Sequence, residues 1–559
     1  MKDKRTLVAL TIGFGVILSG LIEGFREPLG AGPAFYSLIP PFIAIFSVLL
    51  TRKLVFSLLF AILSAGFLSA ASSEVGVFEW IYLGSKTGLG HIWNSGSDWT
   101  NIQILSFVFF IMGMISVIGV SGGFVGVVKW LAKYAKGPTS TQFVTVLMGL
   151  AVFIDDYANT MVVGNTMRSM SDEYKVSREK LSFLVDATSA PVSGIAFVST
   201  WIGYEVGLFN ELAKSLGISN DGYSMFLDAV VFRFYCLMMV GFVLVNSLSG
   251  RDYGPMFTAE NRARKSGELM ATDASPLTSK THSAINVSSD AHVFAKTALI
   301  PIGFLFVFLI AGLWYDGGGF QKNFSEYFQL TTWREVISSS ENNILILGIA
   351  SFLGTILSVV CSVFISKLSL EVVLKALLGG MKGAFLPGVI LVLAWSMRAT
   401  CDDLKTGQYL VSILGDSLSA GWFPSILFVI SGVIAFSTGT SWGTMAILIP
   451  TTIPLAFQLD GGAYGLTTMI SMAAVLDGSI FGDHCSPISD TTLMSSISSS
   501  CDHIHHVKTQ LPYALTVAGM ALFLGYLPSS FGYSPIFGVA ASVFFSIAIF
   551  RVIGKKVEG

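Results

Sequence analysis

The chain alternates long apolar runs with short polar interruptions, and the run lengths predict membrane helices. A spanning helix needs about 20 mostly apolar residues. Uninterrupted runs of that kind lie near 7–22, 34–50, 54–72, 102–120, 226–248, 293–314, 343–366, 508–527 and 534–552. A second group, 141–165, 181–202, 381–400, 425–452 and 466–495, is apolar but broken by polar residues. Irregular backbone at membrane depth persists only where protein buries it or where it lines a watery cavity. The pattern predicts an all-α polytopic membrane protein with about 11 to 14 membrane-inserted segments, some of them re-entrant.

Composition sharpens this. Of 559 residues, 12% are charged and 53% hydrophobic, against roughly 25% charged in soluble proteins. An ordinary soluble enzyme and a disordered chain are excluded. A net charge of -2 lacks the basic excess of a nucleic-acid binder. Five scattered cysteines without a Cys-x-x-Cys pair read as reduced and non-structural. Lys and Arg gather before the first run, at Arg52-Lys53, at Lys129–Lys136, along 251–265 and at the C-terminus. By the positive-inside rule both termini are expected in the cytoplasm, with the acidic, aromatic stretch around Glu74–Asp98 as an opposite loop. Arg168–Lys180 also looks cytoplasmic, which conflicts with a single crossing by 141–165.

The expected organisation is 1–100 as N-terminal membrane helices, 101–248 as a first repeat, 249–291 as a polar cytoplasmic linker, 292–530 as a second repeat and 531–559 as a C-terminal helix and tail. The two halves echo one another. Asp186-Ala-Thr-Ser-Ala-Pro-Val-Ser193 and Asp483-His-Cys-Ser-Pro-Ile-Ser489 each follow an interruption. Paired interrupted segments in corresponding halves point to a transporter binding site.

The acids inside these segments are the candidate chemistry. One carboxylate at a bilayer centre costs about 2.5–3.5 kcal/mol, so Asp155 and Asp156 must face an interior, a cavity or a cation. On a helix Asp155 would share a face with Asn159. Asp186 and Ser189 flank Pro191, which frees a backbone carbonyl. Asp483, Ser486, Asp490 and Thr491 surround Pro487. Thr438 and Ser441 flank Gly439, which permits unwound backbone. Hydroxyl, carbonyl and carboxylate oxygens suit a small hard cation. A proline kink satisfied by neighbouring hydroxyls, or a polar packing network, is the alternative at each place. Arg398 with Asp402 and Asp403 reads as a salt-bridged helix end, with binding of an anionic substrate by Arg398 as the alternative, and Asp477 as a secondary candidate. Cys501, Asp502, His503, His505 and His506 read as a solvated or pH-sensing loop rather than a transition-metal site. No Walker A, Gly-x-Ser-x-Gly or His-Glu-x-x-His sequence occurs, so no enzyme is expected.

Several blocks carry a family resemblance: Phe153-Ile-Asp-Asp-Tyr-Ala-Asn159, Val162-Val-Gly-Asn165, Asp186-Ala-Thr-Ser-Ala-Pro191, Thr438-Gly-Thr-Ser-Trp-Gly-Thr444, Phe481-Gly-Asp-His-Cys-Ser-Pro-Ile-Ser-Asp-Thr-Thr492 and His506-Val-Lys-Thr-Gln-Leu-Pro512. Across residues 100–530 the chain resembles the NhaC-type sodium/proton antiporter family, within the ion transporter superfamily. The resemblance implies two inverted-topology repeats with broken helices and re-entrant hairpins, one unit carrying substrate against a scaffold. It implies exchange of Na+ for H+ across the bacterial inner membrane. Asp155, Asp156, Asp186 and Asp483 would be Na+ ligands, and Na+ is cargo rather than cofactor. Similar proteins include malate/lactate exchangers and amino-acid carriers, so a Na+-coupled carrier of an organic acid or amino acid stands as the alternative. A channel is the third reading. Membrane lipid is an expected partner, nucleic acid is not, and a homodimer is compatible with the resemblance.

Overall fold

The computed structural model describes residues 15, 34–51, 53–71, 76–276, 287–323, 326–327, 329, 332–333, 336–337, 339–406, 408–409, 412 and 419–557. The run expected near 7–22 lies outside them, apart from residue 15. The fold is almost wholly helical. Among the described residues, seven helices are long and apolar enough to cross a membrane, or eight if the bent pair Gly222–Val230 and Phe234–Ser249 is one span. The uninterrupted runs become helices close to their expected bounds, such as Leu54–Ala70, Trp99–Val120, Lys296–Asp316 and Asn343–Phe364.

Four of the five interrupted runs break where their polar residues fall, while the fifth, 381–400, continues through its polar residues as helix Phe385–Asp403. Residues 141–165 become Pro138–Ala151 and Asp156–Glu173. Residues 181–202 become Arg178–Ala187, a single turn Ala190–Ser193 and the start of Thr200–Leu216. Residues 425–452 become Phe423–Thr438 and Ser441–Leu459, and 466–495 become Leu466–Cys485 and Asp490–Ser498. Three of the second helices start on a capping side chain. Asp155 accepts from Ala158 N (2.8 Å), Thr440 from Gly443 N (3.3 Å) and Ser489 from Thr492 N (3.3 Å). These side chains satisfy amide groups that a helix start leaves without partners.

The chain divides into two compact units. One comprises Met1–Ile102, Tyr204–Phe232 and Leu386–Ser479; the other comprises Gln103–Gly203, Arg233–Phe385 and Ile480–Gly559. In the first unit the expected Glu74–Asp98 loop is instead helix Val77–Ser97. Its Gly and polar residues dilute the apolar signal, but they also let it pack. A Cβ on Gly66 would fall 2.3 Å from Gly84 O and 2.7 Å from Gly88 N, so small residues set a close helix crossing. Trp80 Nε1 donates across it to Phe67 O (3.0 Å). In the same unit Arg398 is buried and donates to Ser215 Oγ and Pro450 O (3.0 Å), with Asp402 at 3.0 Å. His91 sits 2.9 Å from Asp403. Arg398 and its acids are thus taken up by structural pairing.

In the second unit the stretch read as a linker contains helix Gly254–Ser266. A strand, Arg251–Asp252, precedes it and pairs antiparallel with Lys555–Lys556 near the C-terminus. Arg251 Nη1 donates to Gly554 O (2.8 Å) and Val557 N to Gly250 O (3.2 Å). Behind this clamp Lys180, wholly buried, lies 2.5 Å from Asp252, which also accepts from Asn246 Nδ2 (3.0 Å) and Tyr513 OH (2.6 Å). Glu260 is buried beside them and accepts from Ser177 N (2.7 Å) and Gln142 Nε2 (3.1 Å).

Candidate functional site

The break at residues 152–155 brings the first candidates together. Helix Pro138–Ala151 ends, and Asp155 takes an extended backbone as the cap of Asp156–Glu173. Asp155 Oδ2 holds Ala158 N, and Oδ1 accepts from Thr200 Oγ1 (3.0 Å). Asp155 and Asp156 are buried, at 5% and 3% exposure, and neither has a Lys or Arg partner among the described residues. Because Asp155 precedes the helix, it shares no helical face with Asn159.

Asn159 does something else. Its Nδ2 donates to Gly149 O (2.7 Å), Thr188 O (2.9 Å) and Val152 O (3.2 Å). One amide thereby ties two broken helices, taking up carbonyls that the breaks leave free. Gly149 makes the approach feasible: a Cβ there would lie 2.0 Å from Thr188 Oγ1. Asn159→Leu keeps the number of side-chain heavy atoms and removes these bonds. It is expected to cost about 1–3 kcal/mol, read as a lower melting temperature of the detergent-purified protein.

Asp186 and Asp483 form a second set in the same unit. Asp186, buried at 2% exposure, accepts from Gln510 Nε2 (2.7 Å) and Ser495 Oγ (3.1 Å). His484 Nε2 and His506 Nε2 each stand 3.8 Å from its Oδ2. Gln510 also donates to His484 O (2.5 Å), which fixes its Oε1 to face His506 Nε2 (2.8 Å). Asp483, also 2% exposed, accepts from Thr491 Oγ1 (3.2 Å) through Oδ2, while its Oδ1 has no hydrogen-bond partner among the described residues. Ser486 is buried at the turn after Asp483. Ser189 donates to Asp186 O (2.8 Å), so its hydrogen is satisfied by its own chain.

The histidine stretch departs from the expected solvated loop. Asp502 caps helix His503–Met520, and His506 on its first turns is wholly buried against Ser496 (2.9 Å) and Gln510. The helix turns one face of this polar run inward, which composition alone does not reveal.

Asp490 returns to the first set: Tyr157 OH donates to its Oδ2. Asp155, Tyr157 and Asp490 line one cavity of about 780 Å³ with Met112, Met161 and Met494. Among the described residues no Arg, Lys or His lines it. No group of three or more His, Cys, Asp or Glu among them is placed to hold a metal ion. A cation at either set would therefore draw on hydroxyl and carbonyl oxygens as well as carboxylate.

Thr438 and Ser441 belong to the other unit. Thr438 Oγ1 donates to Ile434 O (2.9 Å) at the end of its helix, Gly439 turns left-handed, and Ser441 opens the next helix, buried. Tyr204 stacks on Trp442 (4.4 Å between centroids) and donates to its carbonyl (2.5 Å). Sequence reasoning did not single out Tyr157, Gln510, Ser495 or Thr200. Tyr157 and Gln510 stand inside the family blocks quoted above, which was a usable signal; Thr200 and Ser495 had none.

A family model described as "Na+/H+ antiporter family" matches residues 194–528, more than half of the chain. The chain belongs to the Na+/H+ antiporter family. It is a multi-pass membrane transporter of the secondary class. An uncharacterized protein of Haemophilus influenzae is 28% identical over 554 residues, 98% of this chain and 100% of that one. The Na+/H+ antiporter NhaC of Alkalihalophilus pseudofirmus is 29% identical over 161 residues, 27% of this chain and 32% of that protein. Among solved structures, the YdaH transporter of Alcanivorax borkumensis, of unusual topology, aligns at TM-score 0.53 and 15% identity. The alignment covers 82% of this chain and 91% of that one, a likeness of fold alone.

Proposed function

We propose that this transporter exchanges Na+ for H+. The observation that carries the reading is four buried acids, Asp155, Asp156, Asp186 and Asp483, with no Lys or Arg partner among the described residues. A buried carboxylate without a fixed countercharge is costly. It lowers that cost by taking either a proton or a metal cation. Both cannot occupy the same oxygen lone pairs, so loading one releases the other, and competition itself enforces exchange. Asp155 has the best access, since it lines the open cavity while its helix cap holds it in place. An organic acid as cargo is disfavoured because no basic residue lines that cavity among the described residues. The distribution of Lys and Arg supports an inner-membrane orientation with both termini in the cytoplasm.

The test is a proteoliposome with an imposed pH gradient and an internal pH dye. Adding Na+ or Li+ is expected to dissipate the gradient, and K+ is not. A gradient indifferent to both Na+ and Li+ overturns the reading.

A further inference from the structure

The cavity beside Asp155 is larger than an ion requires. Its volume, about 780 Å³, lies within the range of about 300–1,000 Å³ typical of small-molecule pockets. It is bounded by helices Trp99–Val120, Asp156–Glu173, Leu370–Gly383 and Asp490–Ser498.

Its chemistry is two-sided. Met112, Ile115, Met161, Leu493, Met494 and Ile497 supply apolar wall. Methionine adapts its shape to varied partners. The opposite character comes from Asp155, Asp490 and Tyr157. Tyr157 spends its hydroxyl hydrogen on Asp490, so this side offers negative charge and oxygen acceptors rather than donors. An anion would be repelled there. A plain hydrocarbon would leave the carboxylates desolvated and unpaired. A molecule with a positive head and an apolar body satisfies both sides.

On the remaining wall Gly380 packs close against helix Trp99–Val120, where a Cβ would fall 2.4 Å from Met112 O, but the glycines on either side of it leave space. A Cβ on Gly379 would meet nothing within 4 Å, and one on Gly383 would meet only Met112 Cε at 3.8 Å. Neither glycine has a positive φ. The space they leave is therefore free for a ligand and is not needed for helix contact.

We propose that this cavity binds organic ammonium ions with an apolar body, the head at Asp155 and Asp490 and the body against the methionines. The proposal rests on the exchange reading for the role of Asp155, and it deepens that reading by making such cations competitors of Na+. Equilibrium binding without Na+ or a gradient separates the two, since either can fail while the other holds.

The probe is benzyltrimethylammonium, whose charge is fixed at every pH. It is titrated calorimetrically into the full chain in nanodiscs, in sodium-free buffer, beside phenylacetate of similar size and opposite charge. Saturable binding is expected, at least about tenfold tighter than for phenylacetate. Asp490→Asn is expected to weaken it about tenfold. Gly379→Leu fills the cavity and is expected to abolish binding, with the melting temperature checked to confirm folding. Added Na+ is expected to raise the apparent Kd. No saturable binding, equal binding of both probes, or a folded Gly379→Leu that binds as tightly as the parent chain each overturns the proposal.

Discussion

Asp155→Asn is expected to keep the fold and to bring Na+-driven proton movement down to the level of protein-free liposomes. The argument rests on two roles that one side chain plays. As a helix cap, Asp155 holds Ala158 N and receives Thr200 Oγ1. Asn caps helices about as well as Asp, so the melting temperature should barely move. As an ion site, Asp155 needs its charge. An acid uncompensated at membrane depth costs about 2.5–3.5 kcal/mol, and relief of that cost is what draws in a cation or a proton. Without the charge, affinity for Na+ falls on the order of a hundredfold. The assay is the proteoliposome gradient described above, with Asp156→Asn alongside. If Asp155→Asn exchanges normally, the exchange site lies elsewhere, with Asp186 and Asp483 the next to be replaced.

The second large effect concerns stability. Lys180→Met is expected to destabilise the protein by about 3–5 kcal/mol, because it strands the buried Asp252 carboxylate. Met matches the length of the lysine stem, so packing is nearly conserved and the lost charge dominates. The double variant Lys180→Met with Asp252→Asn should recover much of the loss. Asn still accepts from Tyr513 OH and Asn246 Nδ2, and no unpaired charge remains. Thermal unfolding of the purified protein in detergent reads both. A single variant within about 1 kcal/mol of the parent chain would mean that Asp252 is not dependent on its lysine.

The helix breaks were legible because their cause is local. Asp155, Gly439 and Pro487 interrupt apolar runs at the positions where the helices stop, and Asp155, Thr440 and Ser489 are cap residues by type. Helix Val77–Ser97 was hidden because its stability comes from a crossing with Leu54–Ala70 through Gly66, Gly84 and Gly88. Hydropathy counts glycines as neutral and sees none of that closeness. The candidate acids were found by their unusual context, but their grouping was not. Asp155 with Tyr157 and Asp490 is a contact across 333 residues of chain, and Asp186 with Gln510 spans 324. Asn159 was read only as a neighbour of Asp155, and its Nδ2 also holds backbone carbonyls of two broken helices. Lys180 was read only as one of a cluster of loop charges, yet it is buried on its acid.

The clamp between Arg251–Asp252 and Lys555–Lys556 sets an order of events during synthesis. Arg251 Nη1 and its acceptor Gly554 O are 303 residues apart. At about 5–20 residues per second, the ribosome needs roughly 15–60 s to cross that gap. For most of it Lys180 can already meet Asp252, while Tyr513 and the strand Lys555–Lys556 have yet to be made. The ion pair is thus the early half of the cluster, and the strand pair is a latch that closes only once Lys555–Lys556 has been made.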